Sequence, residues 1–310
     1  MKKVVITGCT GLIGLALIKK CIQHNCKCYA IARPESKRLS VLPKSKYVQI
    51  IECDLSNLSN LDKLITDKCD VFYHLGWGHT GKSKYSDVKY QTENINFTID
   101  AVRIAQKLGC RLFVGAGSQA EYGPLNLDVI EPESPANPMI SYGICKYAAG
   151  KLAAIEADKL GITFVWVRIF STYGFNDKKD MLLGSIIEKM MNDEHISMTA
   201  GIQQWDYLFC EDAGRAFYLI GEKCNRSTTY CLGSGEKRPL KDYISIIASK
   251  LNYKKEIGYG EIPYNSSSVM NLCADISKLK KDVGFKPTYS FEEGISLYIR
   301  DYKKILKNEK

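Results

Sequence analysis

The apolar positions of this chain change period several times along its length. "KKVVITG" at residues 2–8 is a short β-rich run, "LIGLALIKKCIQHN" at 12–25 spaces its apolar residues as a helix does, and "KCYAIAR" at 27–33 is β-like again. The alternation continues through the strand "VQIIECDL", a helix "NLDKLITDK", the strand "DVFYHLGW", a helix through "ENINFTIDAVRIAQKLG" and the strand "RLFVGAGS". Strands separated by helices call for a parallel sheet with helices on both faces. The expected fold class is therefore α/β, a doubly wound parallel sheet with a smaller C-terminal α/β lobe.

A proline-rich loop, "PLNLDVIEPESPANP", is followed by a helix expected from about Tyr142 to Lys159 and then by the strand "TFVWVRIF". After Gly174 the pattern loosens into one helix, "MLLGSIIEKMMNDE", and mixed segments. This predicts a first domain over 1–174 and a second lobe over 175–310, with a segment at about 204–232 returning to the first.

Composition narrows the class only a little. A chain of 310 residues, 45% hydrophobic and 25% charged, reads as an ordinary soluble globular protein. "MKK" runs straight into "VVITG", which predicts neither a signal peptide nor a membrane span, and so a cytoplasmic protein. Twelve cysteines include no CxxC pair, and His24, His74, His79 and His195 lack ligand spacing, so the thiols read as reduced and buried with no metal site. The net charge of +9 reads as a lysine-rich solvated surface, or as attraction for an anionic small molecule. Basic residues interleaved with aromatics are missing, which argues against a nucleic-acid partner.

The chemistry begins at the first strand. Gly8, Gly11 and Gly14 form a GxxGxxG turn from strand to helix, where glycines let backbone amides and the helix N-terminus approach a pyrophosphate. Thr10, Leu12 and Ile13 belong to the same turn. This is a dinucleotide fingerprint and makes the sheet Rossmann-type. The second strand ends "AIARPESKR", with Arg33 first and Lys37 and Arg38 close by, where an NAD site commonly offers an acid to the ribose. Cations there suit a 2′-phosphate, so NADP(H) is preferred, with NAD(H) also possible. Asp54 and Leu55 are placed to contact the adenine, and Leu75 and Gly76, within "HLGW", to pass under the cofactor.

Tyr142 and Lys146, in "SYGICKYAAGK", are four apart and share one helix face. A phenol with pKa near 10 is a poor proton donor or base at neutral pH unless a nearby ammonium stabilises its phenolate. A strand ending in Ser118 precedes the tyrosine by 24 positions.

With these residues the chain resembles the extended short-chain dehydrogenase/reductase group, specifically the NAD-dependent epimerase/dehydratase family that acts on nucleotide sugars. "TGCTGLIG", "HLGW", "GSQAEYG", "SYGICK", "RIFSTYG", "WDYLFCEDAGRAF" and "ADISKLKKDVGFKPTYSFEEGI" carry the resemblance along nearly the whole chain. It implies that Ser118 hydrogen-bonds the sugar oxygen undergoing redox, that Tyr142 exchanges a proton with it, and that Lys146 holds the nicotinamide ribose. Dehydratases of the family carry Asp-Glu directly after the hydroxyl residue. This chain has Gln119 and Ala120 there, which argues against dehydration. Glu121 and Gln119 are expected to line the substrate pocket, together with Phe175, Asn176, Met181 and Gln204, although a methionine-rich helix face also suits core packing.

Trp205 stands where many epimerases and dehydratases have an arginine, a variant closer to reductases of CDP- or dTDP-linked 4-keto-6-deoxy sugars. The expected reaction is thus NADPH-dependent reduction of the C4 ketone of a nucleotide sugar. An NAD-dependent 4-epimerase, a reductase of non-sugar ketones or aldehydes, and a non-catalytic dinucleotide sensor are the alternatives. The resemblance also implies a homodimer through the tyrosine helix and the helix over 94–108.

Overall fold

The computed structural model describes residues 1–80, 84–177, 181–265 and 268–308. Strands β1 (Lys3–Thr7), β2 (Lys27–Ala32), β3 (Val48–Glu52), β4 (Val71–His74), β5 (Leu112–Ser118) and β6 (Thr163–Ile169) alternate with helices α1 (Leu12–Gln23), α2 (Leu61–Leu64), α3 (Val88–Lys107) and α4 (Ser141–Lys159). β7 (Ser171–Tyr173), α5 (Leu182–Met191), β8 (Ile196–Met198), β9 (Gln204–Trp205), β10 (Tyr207–Phe209), α6 (Cys210–Lys223) and β11 (Thr228–Leu232) follow. The chain closes with β12 (Arg238–Pro239), α7 (Leu240–Leu251), β13 (Ile257–Tyr259), α8 (Ser277–Val283) and α9 (Phe291–Asn308).

Seven strands form one parallel sheet in the order β11-β6-β5-β4-β1-β2-β3. The order reverses between β1 and β4, so a crevice opens at their carboxyl ends, where doubly wound sheets bind ligands. β11 pairs with β6 at one edge of this sheet and α6 packs beside α1, whereas β9 pairs with β12 and β10 with β7.

Alternating strand residues feed two cores. Val4, Ile6, Tyr73, Val114 and Val167 pack with α1 and α6, while Val5, Phe72, Phe113, Phe164 and Trp166 pack with α3 and α4. A third core, with Tyr173, Tyr207, Phe209, Tyr243 and Phe291, packs α5, α7 and α9 together. All twelve cysteines are free and buried. Among the described residues no helix is long and apolar enough to cross a membrane.

Two helices depart from the sequence pattern. The helix expected over 60–68 is only the four residues of α2, preceded by a 3-10 stretch over Leu55–Asn60. Asp54 caps that stretch, accepting hydrogen bonds from the backbone and hydroxyl of Ser56. α3 starts five residues earlier than its apolar pattern, at Val88, because Asp87 caps it by accepting the Tyr90 N–H.

Candidate active site

The glycine turn is shaped by its own packing. Gly8 has φ +67°, and a Cβ there would lie 2.6 Å from the Leu75 carbonyl carbon; one at Gly14 would collide with the Gly8 oxygen. A Cβ at Gly11 would meet only the Gly8 oxygen, at 3.2 Å, so the approach to the start of α1 is open. No side chain caps α1, which leaves its first amides facing that opening. Such a cradle fits a pyrophosphate.

Thr7 joins this turn to β4. Its hydroxyl accepts the Gly76 N–H at 3.1 Å and lies 3.0 Å from His74 Nδ1. Burial pushes the His74 imidazole down to about 3, so it is neutral. Asn94 holds the next residues, accepting from the Gly78 N–H at 2.6 Å. The sequence reading missed Thr7 and Asn94; a buried threonine in "ITG" and an asparagine on a helix face carry no pattern that separates them from ordinary core polarity.

At the end of β2, Arg33, Glu35, Ser36, Lys37, Arg38 and Asp54 line a cleft of about 510 Å³. Two carboxylates, Glu35 and Asp54, share it with the cations. Arg38 reaches away to donate to the Asn176 carbonyl at 3.0 Å. Leu55 lies beside Gly76, where a Cβ would come within 3.0 Å of its side chain.

β5 and α4 bring Ser118, Tyr142 and Lys146 together. The strand "FVGAGS" is small because Trp166 of β6 lies against it: a Cβ at Gly115 or Gly117 would collide with the indole, as would one at Gly150 of α4. Ser118 ends β5, and its Oγ accepts the Ala120 N–H at 3.2 Å. Tyr142 is half-buried, and burial pushes its phenol up to about 12, with the Ser118 hydroxyl in hydrogen-bonding reach pulling the other way. Lys146 is 4% exposed. Its ammonium donates to the Ala116 carbonyl at 2.6 Å, and burial pulls it down to about 7 against the opposing charge of Glu121. A phenol, a hydroxyl and a lysine so arranged can deliver a proton to an oxygen held between the first two.

The chain is similar over nearly its full length to sugar-nucleotide enzymes. The model of the NAD dependent epimerase/dehydratase family matches residues 4–233. This chain belongs to that family. It shares 25% identity with the dTDP-4-dehydro-6-deoxyglucose reductase of Escherichia coli, over 97% of each chain. It shares 21% with the CDP-abequose synthase of Salmonella muenchen, over 95% of this chain and 96% of that one. The solved UDP-glucuronic acid 4-epimerase from Bacillus cereus, in complex with UDP-glucuronic acid and NAD, superposes with a TM-score of 0.83 at 22% identity, over 98% and 99% of the two chains. The protein is accordingly an enzyme of the extended short-chain dehydrogenase/reductase type.

Within the family frame the expected substrate residues separate. Glu121, expected at the substrate pocket, sits beneath the tip of β5. It is fully buried, and its carboxylate accepts the Ser118 N–H at 2.8 Å, Trp166 Nε1 at 2.9 Å and Arg168 Nε at 2.8 Å. Gln119, beside it, is half-exposed. Phe175 and Asn176 are placed against α1 and α9, in a cleft with Lys19 and Arg300, and Phe175 packs on Phe209. Met181 is 48% exposed at the start of α5. Gln204, in β9, bridges to Asn271 and donates its N–H to the Met270 carbonyl at 2.9 Å. Trp205 donates its indole N–H to Ser171 Oγ at 2.8 Å. Its register partner is Arg238, a cation no sequence spacing would connect with it, paired to Glu292 at 2.6 Å. Among the described residues no cluster of His, Cys, Asp and Glu is placed to hold a metal ion.

Proposed function

We propose that this enzyme reduces the C4 keto group of a nucleoside-diphosphate 4-keto-6-deoxy sugar, CDP- or dTDP-linked, with NADPH as reductant. The observation that carries the reading is the make-up of the tip of β5. Ser118 and Tyr142 present hydroxyl groups, while the one carboxylate of that turn, Glu121, is engaged by Arg168, Trp166 and the Ser118 amide. Elimination of water needs a separate acid and base at the sugar. A tip without a free carboxylate suits carbonyl reduction.

The glycine turn would hold the pyrophosphate, Arg33 and Lys37 the adenosine end, and Lys146 the nicotinamide ribose. A reduced nicotinamide supplies the hydride for C4. Ser118 orients the C4 oxygen, Tyr142 gives it a proton, and the Lys146 ammonium offsets the phenolate left behind. Gln119, Phe175, Asn176, Met181 and Gln204 remain the proposed substrate contacts, with Glu121 removed from that set. Arg33 and Lys37, the two cations of the cleft after β2 that no protein group engages among the described residues, support NADPH.

One observation favours a second reading, an NAD-dependent 4-epimerase: Glu35 and Asp54 share that cleft and could take the ribose hydroxyls of NAD. The deciding experiment is absorbance at 340 nm with NADPH and a panel of CDP-, dTDP-, GDP- and UDP-linked 4-keto-6-deoxy sugars. Stoichiometric loss of NADPH with one of them is expected. Interconversion of a UDP-hexose without added cofactor, and no loss of NADPH with any sugar, would establish the epimerase instead.

A homodimer through α3 and α4 belongs to the same proposal. Ile144, Leu152 and Ile155 are exposed along α4, which packs beside α3 through Arg103 and Glu156. A cytoplasmic location goes with it.

A further inference from the structure

Two aromatic side chains from the loop after β4 enclose the Tyr142 and Lys146 pair, and the mechanism above uses neither. The Lys146 ammonium lies 3.8 Å from the centroid of the Trp77 ring, far closer than to the rings of Tyr142 or Trp166, at 5.9 and 6.0 Å. Trp77 meets the Tyr142 ring edge-on at 6.0 Å and 81°. Tyr85 stacks on Tyr142 at 4.3 Å and 25°. The indole is itself held in place. Its Nε1 donates to Gln91 Oε1 at 2.9 Å, and the fully buried Gln91 amide donates to the carbonyls of His79 and Lys84 at 3.1 and 3.0 Å.

We infer that Trp77 is a positioning residue: its π face holds the Lys146 ammonium charged and in place, its edge fixes the Tyr142 ring, and Gln91 of α3 sets its angle. This rests on the reading of Tyr142 and Lys146 given above. A cation stripped of water needs electron-rich partners, and the face of an indole is the best that an aromatic side chain offers. Lys146 has few others. The Ala116 carbonyl takes one N–H. Glu121, below it at the end of β5, spends its charge on Arg168 of β6. His74 of β4 is neutral, and Tyr142 on its own helix and Tyr85 from the loop are protonated phenols. Without the indole, the balance for the charged lysine shifts toward loss of the proton.

The test is the affinity of the whole protein for NADH between pH 6 and 10, read by nicotinamide fluorescence. NADH is the probe because the 2′-phosphate of NADPH titrates near pH 6 itself. A charged Lys146 donates to the ribose, so affinity falls as the lysine loses its proton. Trp77→Leu is expected to move that midpoint down by about one pH unit, and Trp77→Phe, with its weaker π face, by less in the same direction. Uniformly weaker binding with an unmoved midpoint would mean that Trp77 only fills space, and would overturn the inference. Should the leucine variant fail to fold, as judged by circular dichroism, the phenylalanine variant decides in the same way. Lys146→Ala separates the two levels. If the midpoint survives in that variant, the pH dependence belongs to another group, and it is the placement of Lys146 on the ribose that fails.

Discussion

Arg168 donates its Nε–H to Glu121 Oε2 at 2.8 Å, and both side chains are buried beneath the tip of β5. The carboxylate has exchanged water for an arginine, an indole and a backbone amide. Removing one member of such a pair strands a charge in the interior, which costs about 3–5 kcal/mol. Glu121→Ala should lower stability by that order in urea unfolding. A variant with an unchanged midpoint and a raised KM for the sugar would return Glu121 to the substrate pocket.

Tyr142→Phe keeps the ring between Trp77 and Tyr85 and removes only the hydroxyl. General acid catalysis contributes about 10²–10⁴-fold, so turnover should drop by that much while cofactor affinity stays within a few-fold. Steady-state rates with fluorescence titration of the cofactor check both halves. A near-normal rate would take Tyr142 out of the chemistry.

Arg33 is exposed at the end of β2, in the cleft with Lys37 and Asp54. Its replacement by alanine should weaken NADPH by about tenfold or more, as for a charge-assisted contact of about 1.5–3 kcal/mol, and leave NADH nearly untouched. Equal loss for both would remove the 2′-phosphate from this cleft. Glu35→Gln is the companion: tighter NADPH without loss of NADH is the outcome that fits.

The buried Lys146 sets a pH dependence of stability whose sign can be worked out. Its folded value lies at about 7, while an unfolded lysine keeps its proton to about 10.4. Between these values the unfolded chain binds the extra proton, so this residue adds stability as pH rises from 7 toward 10 and adds none below 7. Lys146→Met should therefore stabilise the cofactor-free protein most at pH 6–7, by at least about 2 °C in Tm, with the gain shrinking toward pH 10. Buried thiols such as Cys9 and Cys69, pushed up to about 12, oppose the trend in both proteins, so the difference between them is the quantity to read. A difference that does not change with pH would show that Lys146 is not charged in one state and neutral in the other.

Much of this enzyme lies in short-range pattern. The alternation of periods 2 and 3.6 specifies the parallel sheet, because strand and helix each repeat their apolar face within a few residues. Gly8, Gly11 and Gly14 mark the strand-to-helix turn, and Tyr142 and Lys146 share a helix face by their spacing alone. What pattern could not reach was decided by pairs distant in sequence. Glu121 looks like a polar loop residue until Arg168, 47 positions on, meets it under the serine. Trp77 and Tyr85 have no periodic relation to α4, and only the fold of the loop after β4 lays them on Lys146 and Tyr142. Local spacing determines which face a side chain is on; burial and charge pairing depend on what the rest of the chain brings to that face, and those decide whether a carboxylate serves the substrate or the core.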